Sequence, residues 1–212
     1  MKLNIRRTVT LKHKIAAIAL TFCMAVVAHA QQGAKIVAFG SDSPERGTTR
    51  VGYWDNVNKT VIAEFAINYG RPIWKKDYED QARFDAMTKG KVWRLGENFW
   101  TLLDTNTPLK IGGKDVPVGL WYLGLHRSED GASWSLVFID PAKARKAHLD
   151  AFEIGKAPIE FKAPVKVEQP GEAKDRLTID LIYKKDNLKD VILKITWGKF
   201  QVSTPVQVPV EG

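Results

Sequence analysis

The pattern that most constrains how this chain can fold is a succession of short segments in which apolar and polar residues alternate. The clearest is residues 60–69, where one side carries Val61, Ala63, Phe65 and Ile67. A period of two places alternate side chains on opposite faces of a β-strand. Gly70-Arg71-Pro72 ends this segment, because proline cannot donate to the ladder of a central strand.

Further segments of the same kind recur along the rest of the chain. They are residues 49–54, 100–103, 109–111, 119–126, 134–140, 165–168, 177–183, 191–196, 200–202 and 206–210. Gly112-Gly113 and residues 128–131 between such segments predict β-hairpins. Short strands with frequent turn signals are typical of a sandwich or barrel, and not of a parallel α/β sheet.

Two segments have helical patterns. Residues 75–88 contain an imperfect helical stripe in which residues recur at a spacing of about four: Tyr78, Ala82, Phe84 or Asp85, and Met87. Gly90 follows and is a typical end of a helix. Asp140 at an N-cap and Pro141 at the first helical position begin a second helix, which we expect to reach about Leu149. We therefore predict a mainly β fold: an antiparallel β-sandwich, or a partly open barrel, with two short helices.

Residues 1–30 have the composition of a secretory signal peptide. The positive part contains no acidic residue and carries Lys2, Arg6, Arg7, Lys12 and Lys14. Residues 15–28 are apolar except for Thr21, and Ala28-His29-Ala30 fits the small residues that a signal peptidase requires. We predict cleavage before Gln31 and export to the periplasm or the medium. The alternative is an uncleaved anchor, although about 20 apolar residues usually span a membrane.

The remainder is predicted to be one domain. Residues 31–46 form a lead-in segment broken by Gly33, Gly40 and the Ser-Asp-Ser-Pro run at 41–44, and residues 47–212 form the β-sandwich domain. Cleavage leaves 182 of the 212 residues. A chain of about 150 residues already buries roughly two-thirds of its unfolded surface, so this domain can have its own core.

Charge and cysteine content narrow the range of partners and cofactors. Removing the five basic residues of the signal from 32 leaves 27 Lys and Arg against 24 acidic residues, so the net charge falls from +8 to +3. Nucleic-acid grooves need concentrated positive charge, whereas here both signs are interleaved. We predict no nucleic-acid partner, and no membrane association after cleavage. Cys23 leaves with the signal, which excludes disulfides and thiolate chemistry in the exported domain.

Motifs for metals, cofactors and catalysis are missing from the sequence. His126 and His148 stand alone, whereas a zinc site needs three or four ligands at suitable spacing. The acidic residues Asp77, Glu79 and Asp80 fit the solvated face of a helix. No Gly-x-Ser-x-Gly elbow and no glycine-rich phosphate loop occurs. We predict no metal and no cofactor.

Several short motifs in a fixed order carry a resemblance to a known family. They are Tyr69-Gly70-Arg71-Pro72, Gly90-Lys91-Val92-Trp93-Arg94-Leu95-Gly96-Glu97-Asn98, Ile111-Gly112-Gly113-Lys114, Pro117-Val118-Gly119-Leu120-Trp121-Tyr122-Leu123, and Trp134. Over residues 43–210 the chain resembles an exported bacterial family known only as domain-of-unknown-function family 2911. The resemblance implies a secreted or periplasmic β-rich domain and no particular activity. This chain departs from the family pattern at Glu97, where a small residue is usual, and at Phe99-Trp100-Thr101.

The same motifs supply the candidate site, which consists of Tyr69, Arg71, Trp93, Arg94, Glu97 and Asn98. Two interpretations are open. In the structural one, the rigid five-donor forks of Arg71 and Arg94 cap loop carbonyls, pair with Glu97 or lie across Trp93. In the functional one, the two guanidinium groups converge beside Tyr69 and Asn98 to hold an anionic or hydroxylated small molecule.

These observations favour a non-enzymatic binding module over an enzyme. The partner would be a small molecule, a glycan or an envelope protein. Seven tryptophans, at positions 54, 74, 93, 100, 121, 134 and 197, supply either core volume or platforms for sugar rings. The alternative is a hydrolase or isomerase that uses acid–base residues such as Glu97, Asp104 or His126. A third possibility is an interaction module whose exposed strands pair with a partner.

Overall fold

The structure is a computed structural model that describes residues 45–210. The predicted signal peptide, its cleavage site and all of the lead-in segment before Glu45 lie outside the described residues. The strands are β1 (Arg46–Asp55), β2 (Thr60–Gly70), β3 (Val92–Arg94), β4 (Thr101–Thr105), β5 (Leu109–Ile111), β6 (Lys114–Val116), β7 (Gly119–Arg127), β8 (Trp134–Ile139), β9 (Ile159–Glu168), β10 (Lys174–Lys184), β11 (Asn187–Gly198) and β12 (Phe200–Gln207). Residues 45–210 contain no helix that is long and apolar enough to cross a membrane.

All neighbouring strands pair antiparallel in one sheet. Their order is β1-β2-β4-β7-β8-β9-β12-β11-β10, with β3 beside β7 and the β5–β6 hairpin beside β12. The sheet folds over itself at β9, which pairs with β8 as far as Val165 and with β12 from Lys166. Apolar side chains of both halves share one core, among them Phe65, Leu123 and Leu136 from the first half and Leu193 and Val202 from the second. The prediction of a mainly β antiparallel fold with few short helices is confirmed.

The alternation in residues 60–69 is confirmed at most of its positions. Ala63, Phe65 and Ile67 of β2 are buried, whereas Val61 is exposed near the beginning of the strand. The two predicted hairpins are also present. Ile111 pairs with Lys114 across Gly112-Gly113, and β7 pairs with β8 across residues 128–133. Each of these features depends on residues close together in the chain.

The two ends of the strand path, β1 and β10, meet without a β-ladder between them in the described residues. Side chains of β1 and of its neighbour β2 contact β10 instead. The Tyr69 hydroxyl accepts a hydrogen bond from Ile179 N at 3.0 Å and donates to Ile179 O at 3.3 Å. Leu181 N donates to Thr49 Oγ1 at 3.2 Å. The sheet is therefore a barrel that one seam leaves partly open.

The prediction of one continuous helix over residues 75–88 is wrong. The chain forms a 3₁₀ turn, Lys76–Glu79, and then the helix α1, Gln81–Thr88. Asp80 between them has extended backbone with ψ of 115°, and its carboxylate accepts from Arg83 N. Asp80 therefore caps a new helix, which prevents one continuous helix. Of the predicted stripe, Met87 is exposed, and Tyr78 and Phe84 pack against the core.

The second predicted helix begins as expected and ends early. In α2, Pro141–Lys146, the Asp140 side chain accepts from Ala142 N, so the predicted cap is confirmed. The helix stops before His148, whose φ is +55°. A further 3₁₀ segment, Ala151–Lys156, follows an Asp150 cap and had no signal in the sequence that we recognised.

Two prolines lie inside strands that the sequence analysis divided or shortened. β9 starts at Ile159 rather than 165 and includes Pro164, and β12 continues through Pro205 to Gln207. Pro164 O accepts from Thr204 Oγ1 and Pro205 O from Gly112 N, both at 2.9 Å. A residue's N and C=O point to the same side of a strand. The nitrogen of Pro164 therefore faces β12, whose ladder with β9 starts only at Lys166. The nitrogen of Pro205 faces β5, whose ladder with β12 starts only at Val206. The missing N–H therefore costs no ladder bond.

Arg127 at the end of β7 connects the hairpin to α1. Its Nη1 donates to Asp85 Oδ1 at 2.7 Å and to Thr88 Oγ1 at 3.0 Å, and its Nε donates to Gly131 O at 3.0 Å. The guanidinium also lies 5.4 Å from the centre of the Trp134 ring. The side chains of Lys89 and Arg127 bind the Asp85 carboxylate and lower its pKa to about 2. Arg127 is thus a structural arginine with well-satisfied donors.

Candidate functional site

A cavity of about 480 Å³ opens beside β3, and we call it the Trp93 cavity. Its lining residues are Pro72, Ile73, Lys75, Tyr78, Trp93, Arg94, Gly96, Glu97, Arg176 and Trp197. It lies where the loops after β2 and β3 meet the beginning of β10 and the end of β11. Sites for small molecules usually have volumes of about 300–1,000 Å³, so the size suits such a ligand.

Aromatic rings form one wall of the Trp93 cavity. The Trp93 and Trp197 rings stack with centroids 5.0 Å apart and an angle of 11° between their planes. Tyr78 lies against Trp197 at 5.0 Å. Trp197 is 7% exposed, and its Nε1 donates to Pro72 O at 2.8 Å. Because packing and this hydrogen bond hold Trp197, the wall is a rigid apolar surface.

The loop after β3 is shaped by close packing on the end of β2. A Cβ at Gly70 would lie 2.4 Å from Glu97 O, which is far inside contact distance. Gly96 has φ of +136°, in the region that favours glycine. Asn98 has φ of +61°, a conformation that asparagine tolerates better than most residues. Asn98 shapes this turn and is not among the residues that line the cavity.

Tyr69 and Arg71 lie outside the lining of the Trp93 cavity. Tyr69 is 4% exposed, its hydroxyl bonds the Ile179 backbone, and burial raises its pKa. Arg71 forms an ion pair with Glu45, and its Nε donates to Leu177 O at 3.3 Å. Arg71 N also donates to Glu45 O at 3.1 Å. In the structure, Tyr69 and Arg71 form contacts that join strands and loops.

Arg94 differs from Arg71. Its guanidinium carbon lies 3.9 Å from the centre of the Phe152 ring, a cation–π contact with a different partner from the Trp93 that the sequence suggested. Its Nη1 is buried and has no hydrogen-bond partner among residues 45–210. Burial lowers the pKa of Arg94, and the charges of Glu97 and Asp150 oppose that effect. Buried polar groups nearly always have partners, so this nitrogen is an unused donor beside the cavity.

The residues that line the Trp93 cavity carry an excess of positive charge. Lys75, Arg94 and Arg176 stand against one carboxylate, Glu97. Lys75 is exposed and forms no ion pair with another described residue. Arg176 donates from Nη1 to Arg71 O at 3.0 Å, and its Nε lies 3.4 Å from Glu45 Oε2. These contacts hold Arg176 in place beside the aromatic wall.

The acid–base residues named as an alternative are not brought together. Glu97 lines the Trp93 cavity, whereas Asp104 is exposed on β4. Asp104 pairs with Leu120, and His126 lies six residues farther along β7, which is about 20 Å at the rise of a strand. Burial and the charge of Lys162 lower the pKa of His126. Within residues 45–210 no three His, Cys, Asp or Glu side chains form a group that could hold a metal ion.

Seven of the ten lining residues were not predicted as part of a site: Pro72, Ile73, Lys75, Tyr78, Gly96, Arg176 and Trp197. Tyr78 had been assigned to a helix stripe, and Trp197 was one of the seven tryptophans that supply either core volume or platforms for sugar rings. Arg176 reaches the cavity because Ile73 forms an isolated antiparallel bridge with it. A contact between residues about a hundred positions apart gives no local sequence signal. The only sequence feature that could have indicated Lys75 is its position directly after residues 72–74, two of which line the cavity.

A comparison with known families places these residues in a wider group. The family model described as "Protein of unknown function (DUF2911)" matches residues 55–206. The chain belongs to the DUF2911 family. The resemblance inferred from the motifs is thereby confirmed. All residues that line the Trp93 cavity fall inside the part matched to DUF2911. No curated protein and no solved structure matches the chain.

Proposed function

We propose that this DUF2911 protein is an exported binding module and that the Trp93 cavity holds a small organic anion with a ring or another flat apolar face. The observation that carries the proposal is the combination of a rigid indole wall with three cationic residues against one carboxylate. Ligand sites are typically apolar concavities with a few placed polar groups. Sugar acids and aromatic carboxylates are the ligand classes that fit this combination.

Electrostatics supports an anion rather than a neutral ligand. An anion entering the cavity meets the positive charges of Lys75, Arg94 and Arg176. Hydrogen bonds in which both partners are charged are roughly twice as strong as neutral ones.

The lining favours binding over catalysis. Glu97 is the one carboxylate among the lining residues. Acid–base catalysis requires a proton donor or acceptor within hydrogen-bond reach of the reacting group, and paired roles need a second such residue.

Export is the part of the proposal that depends on residues 1–30, whose composition is that of a signal peptide.

A thermal-shift measurement tests the proposal. The purified protein is heated with glucuronate, galacturonate, benzoate or 4-hydroxybenzoate, and with neutral glucose as the reference ligand. We expect at least one anion to raise Tm and glucose to have a smaller effect, since a ligand at 100 times its Kd stabilises by about 2.7 kcal/mol. Export is tested separately, by N-terminal sequencing of the secreted or periplasmic product.

Matched lysine variants locate the effect. Lys75→Gln removes a lining charge that has no ion pair among the described residues, so its own Tm should equal that of the parent. Lys76→Gln removes the neighbouring charge, which does not line the cavity. We expect the anion-induced shift to fall in Lys75→Gln and to persist in Lys76→Gln. Equal shifts in both variants, or no shift with any anion, would contradict the proposal.

A further inference from the structure

A second cavity adjoins the Trp93 cavity, and we call it the Phe200 cavity. Its volume is about 290 Å³. It lies where the 3₁₀ turn Lys76–Glu79 and the beginning of α1 face the end of β9 and the beginning of β12. Among the described residues, Tyr78 is the one that lines both cavities. A ligand in the Trp93 cavity can therefore extend past Tyr78 into the Phe200 cavity.

Aromatic rings form the apolar part of the Phe200 cavity. Four partly exposed rings belong to its lining: Trp74, Tyr78, Phe84 and Phe200. Trp74 and Tyr78 meet edge to face, with ring centroids 5.4 Å apart. Trp74 also meets Trp197 of the Trp93 cavity edge to face at 5.1 Å. The aromatic wall of the Trp93 cavity thus continues through Trp74 into the wall of the Phe200 cavity.

The polar part of the Phe200 cavity consists mainly of carboxylate and amide groups. Together with one ammonium group, Lys199, they are Glu79, Gln81, Glu168 and Gln169. Lys199 pairs with Glu79 at 3.1 Å, and Lys166 lies 3.6 Å from Glu168. Because each carboxylate already has a cation beside it, the lining does not require a cationic ligand. A carboxylate has about four lone-pair sites, so both can accept further hydrogen bonds.

Charge distinguishes the two cavities. The Phe200 cavity has two carboxylates against one lysine, whereas the Trp93 cavity has three cationic residues against one carboxylate. The hydrogen bond and the charge of Lys199 lower the pKa of Glu79, so this carboxyl group stays ionised at neutral pH and acts as an acceptor. An anionic group therefore prefers the Trp93 cavity. A neutral group with several O–H donors suits the Phe200 cavity.

Sugars combine the two properties that this lining favours. The C–H face of a sugar ring packs on an aromatic ring, and its hydroxyl groups both donate to carboxylates and exchange hydrogen bonds with amides. We propose that the two cavities together bind an acidic oligosaccharide, with a uronic acid residue in the Trp93 cavity and a neutral sugar residue in the Phe200 cavity. The inference rests on the proposed function and narrows it, because it selects sugar acids over aromatic carboxylates.

Isothermal titration calorimetry of the purified protein tests this inference. The probes are methyl glucuronide and the methyl glycosides of glucuronosyl-glucose and glucuronosyl-xylose, each in several linkages. We expect at least one of these disaccharides to bind at least about tenfold more tightly than methyl glucuronide, because its neutral residue adds the contacts of the Phe200 cavity. Methyl cellobioside, a disaccharide without charge, should bind more weakly than the best acidic disaccharide.

The contradicting outcomes separate this inference from the proposed function. If methyl glucuronide binds as tightly as every disaccharide, the inference is overturned and the proposed function stands. Binding of benzoate without binding of any glucuronide has the same consequence. If methyl cellobioside binds as tightly as the best acidic disaccharide, the division of charge between the cavities is refuted. Absence of binding by every anion would contradict both proposals.

Matched variants locate the neutral sugar residue. Phe200→Leu removes a ring from the Phe200 cavity, and Gln169→Ala removes an exposed amide from it. In both variants we expect the affinity ratio between disaccharide and methyl glucuronide to fall toward one, while the affinity for methyl glucuronide stays that of the parent. Gln207→Ala, an exposed amide that lines neither cavity, should keep the full ratio. A full ratio in both cavity variants would refute the inference.

Discussion

Two arginines of the same fold, one in the loop after β2 and one in strand β3, use their guanidinium groups in opposite ways. The loop after β2 carries Arg71, which pairs with Glu45 and donates to Leu177 O. The strand β3 carries Arg94, which lies on Phe152 and leaves Nη1 without a hydrogen-bond partner among the described residues. Both arginines stand in similar sequence surroundings. Their difference teaches that residue type and motif identify a candidate, while hydrogen-bond satisfaction indicates which candidate is free to bind.

The difference bears on the choice between structural and ligand-binding roles. Arg71 already has the contacts that a structural role requires, and Arg127 provides a second example of such a role. Arg94 keeps a desolvated donor, which destabilises the folded state unless something pairs with it. Binding sites commonly carry local features of this kind that do not serve stability.

The largest effect is expected where both loops meet. Gly70→Ala places a Cβ against Glu97 O, which forces the loop after β3 away from β2. We expect the free energy of unfolding to fall by about 1–3 kcal/mol, as for other overpacked buried positions. Urea denaturation measures it. Gly52→Ala is the matched control, because its Cβ meets open space, and we expect a change within about 0.5 kcal/mol.

Arg71→Ala should have the next largest effect. The change leaves the Glu45 carboxylate and Leu177 O without this donor and loosens the beginning of β1. We expect a loss of about 1–2 kcal/mol in the free energy of unfolding, measured in the same way. The anion response of the Trp93 cavity should persist. A variant as stable as the parent would show that the Arg71 contacts contribute nothing.

A smaller and pH-dependent effect is expected at Asp85. Its pKa in the folded protein is about 2, below its usual value of 3.8, mainly because Lys89 and then Arg127 bind the carboxylate. A lowered pKa contributes stability above about pH 4 that is lost as the pH falls toward 2. Asp85→Asn should therefore be less stable than the parent at neutral pH and approach it in acid. Asp77→Asn, in an exposed pair with Arg83, should show little difference at either pH.

The fold was predictable from sequence where contacts are local, and less so where they are distant. The alternation that buries Phe65 and Ile67, the Gly112-Gly113 turn and the Asp140 cap each depend on neighbouring residues. The prolines in β9 and β12 were misread, because their effect depends on which side of the strand the next ladder occupies. The first predicted helix is interrupted at Asp80, because the tendency of aspartate to cap a helix outweighed the apolar stripe.

The candidate site was predictable only in part. Trp93, Arg94 and Glu97 line the Trp93 cavity, whereas Tyr69, Arg71 and Asn98 support the surrounding strands and loops. Arg176 and Trp197 come from strands far away in sequence, so their position depends on the strand order. Whether a guanidinium is paired likewise depends on tertiary contacts such as the one between Arg71 and Glu45.

The most direct test of the central claim is the Tm of Arg94→Met with and without the anion that stabilises the parent most. Methionine keeps an apolar side chain against Phe152 and removes the buried unpaired donor. We predict that Arg94→Met has the Tm of the parent without ligand, within the roughly 0.5 kcal/mol of a neutral change, and loses most of the anion-induced shift. A variant that unfolds at clearly lower temperature but keeps the full anion response would contradict the account, because Arg94 would then be structural.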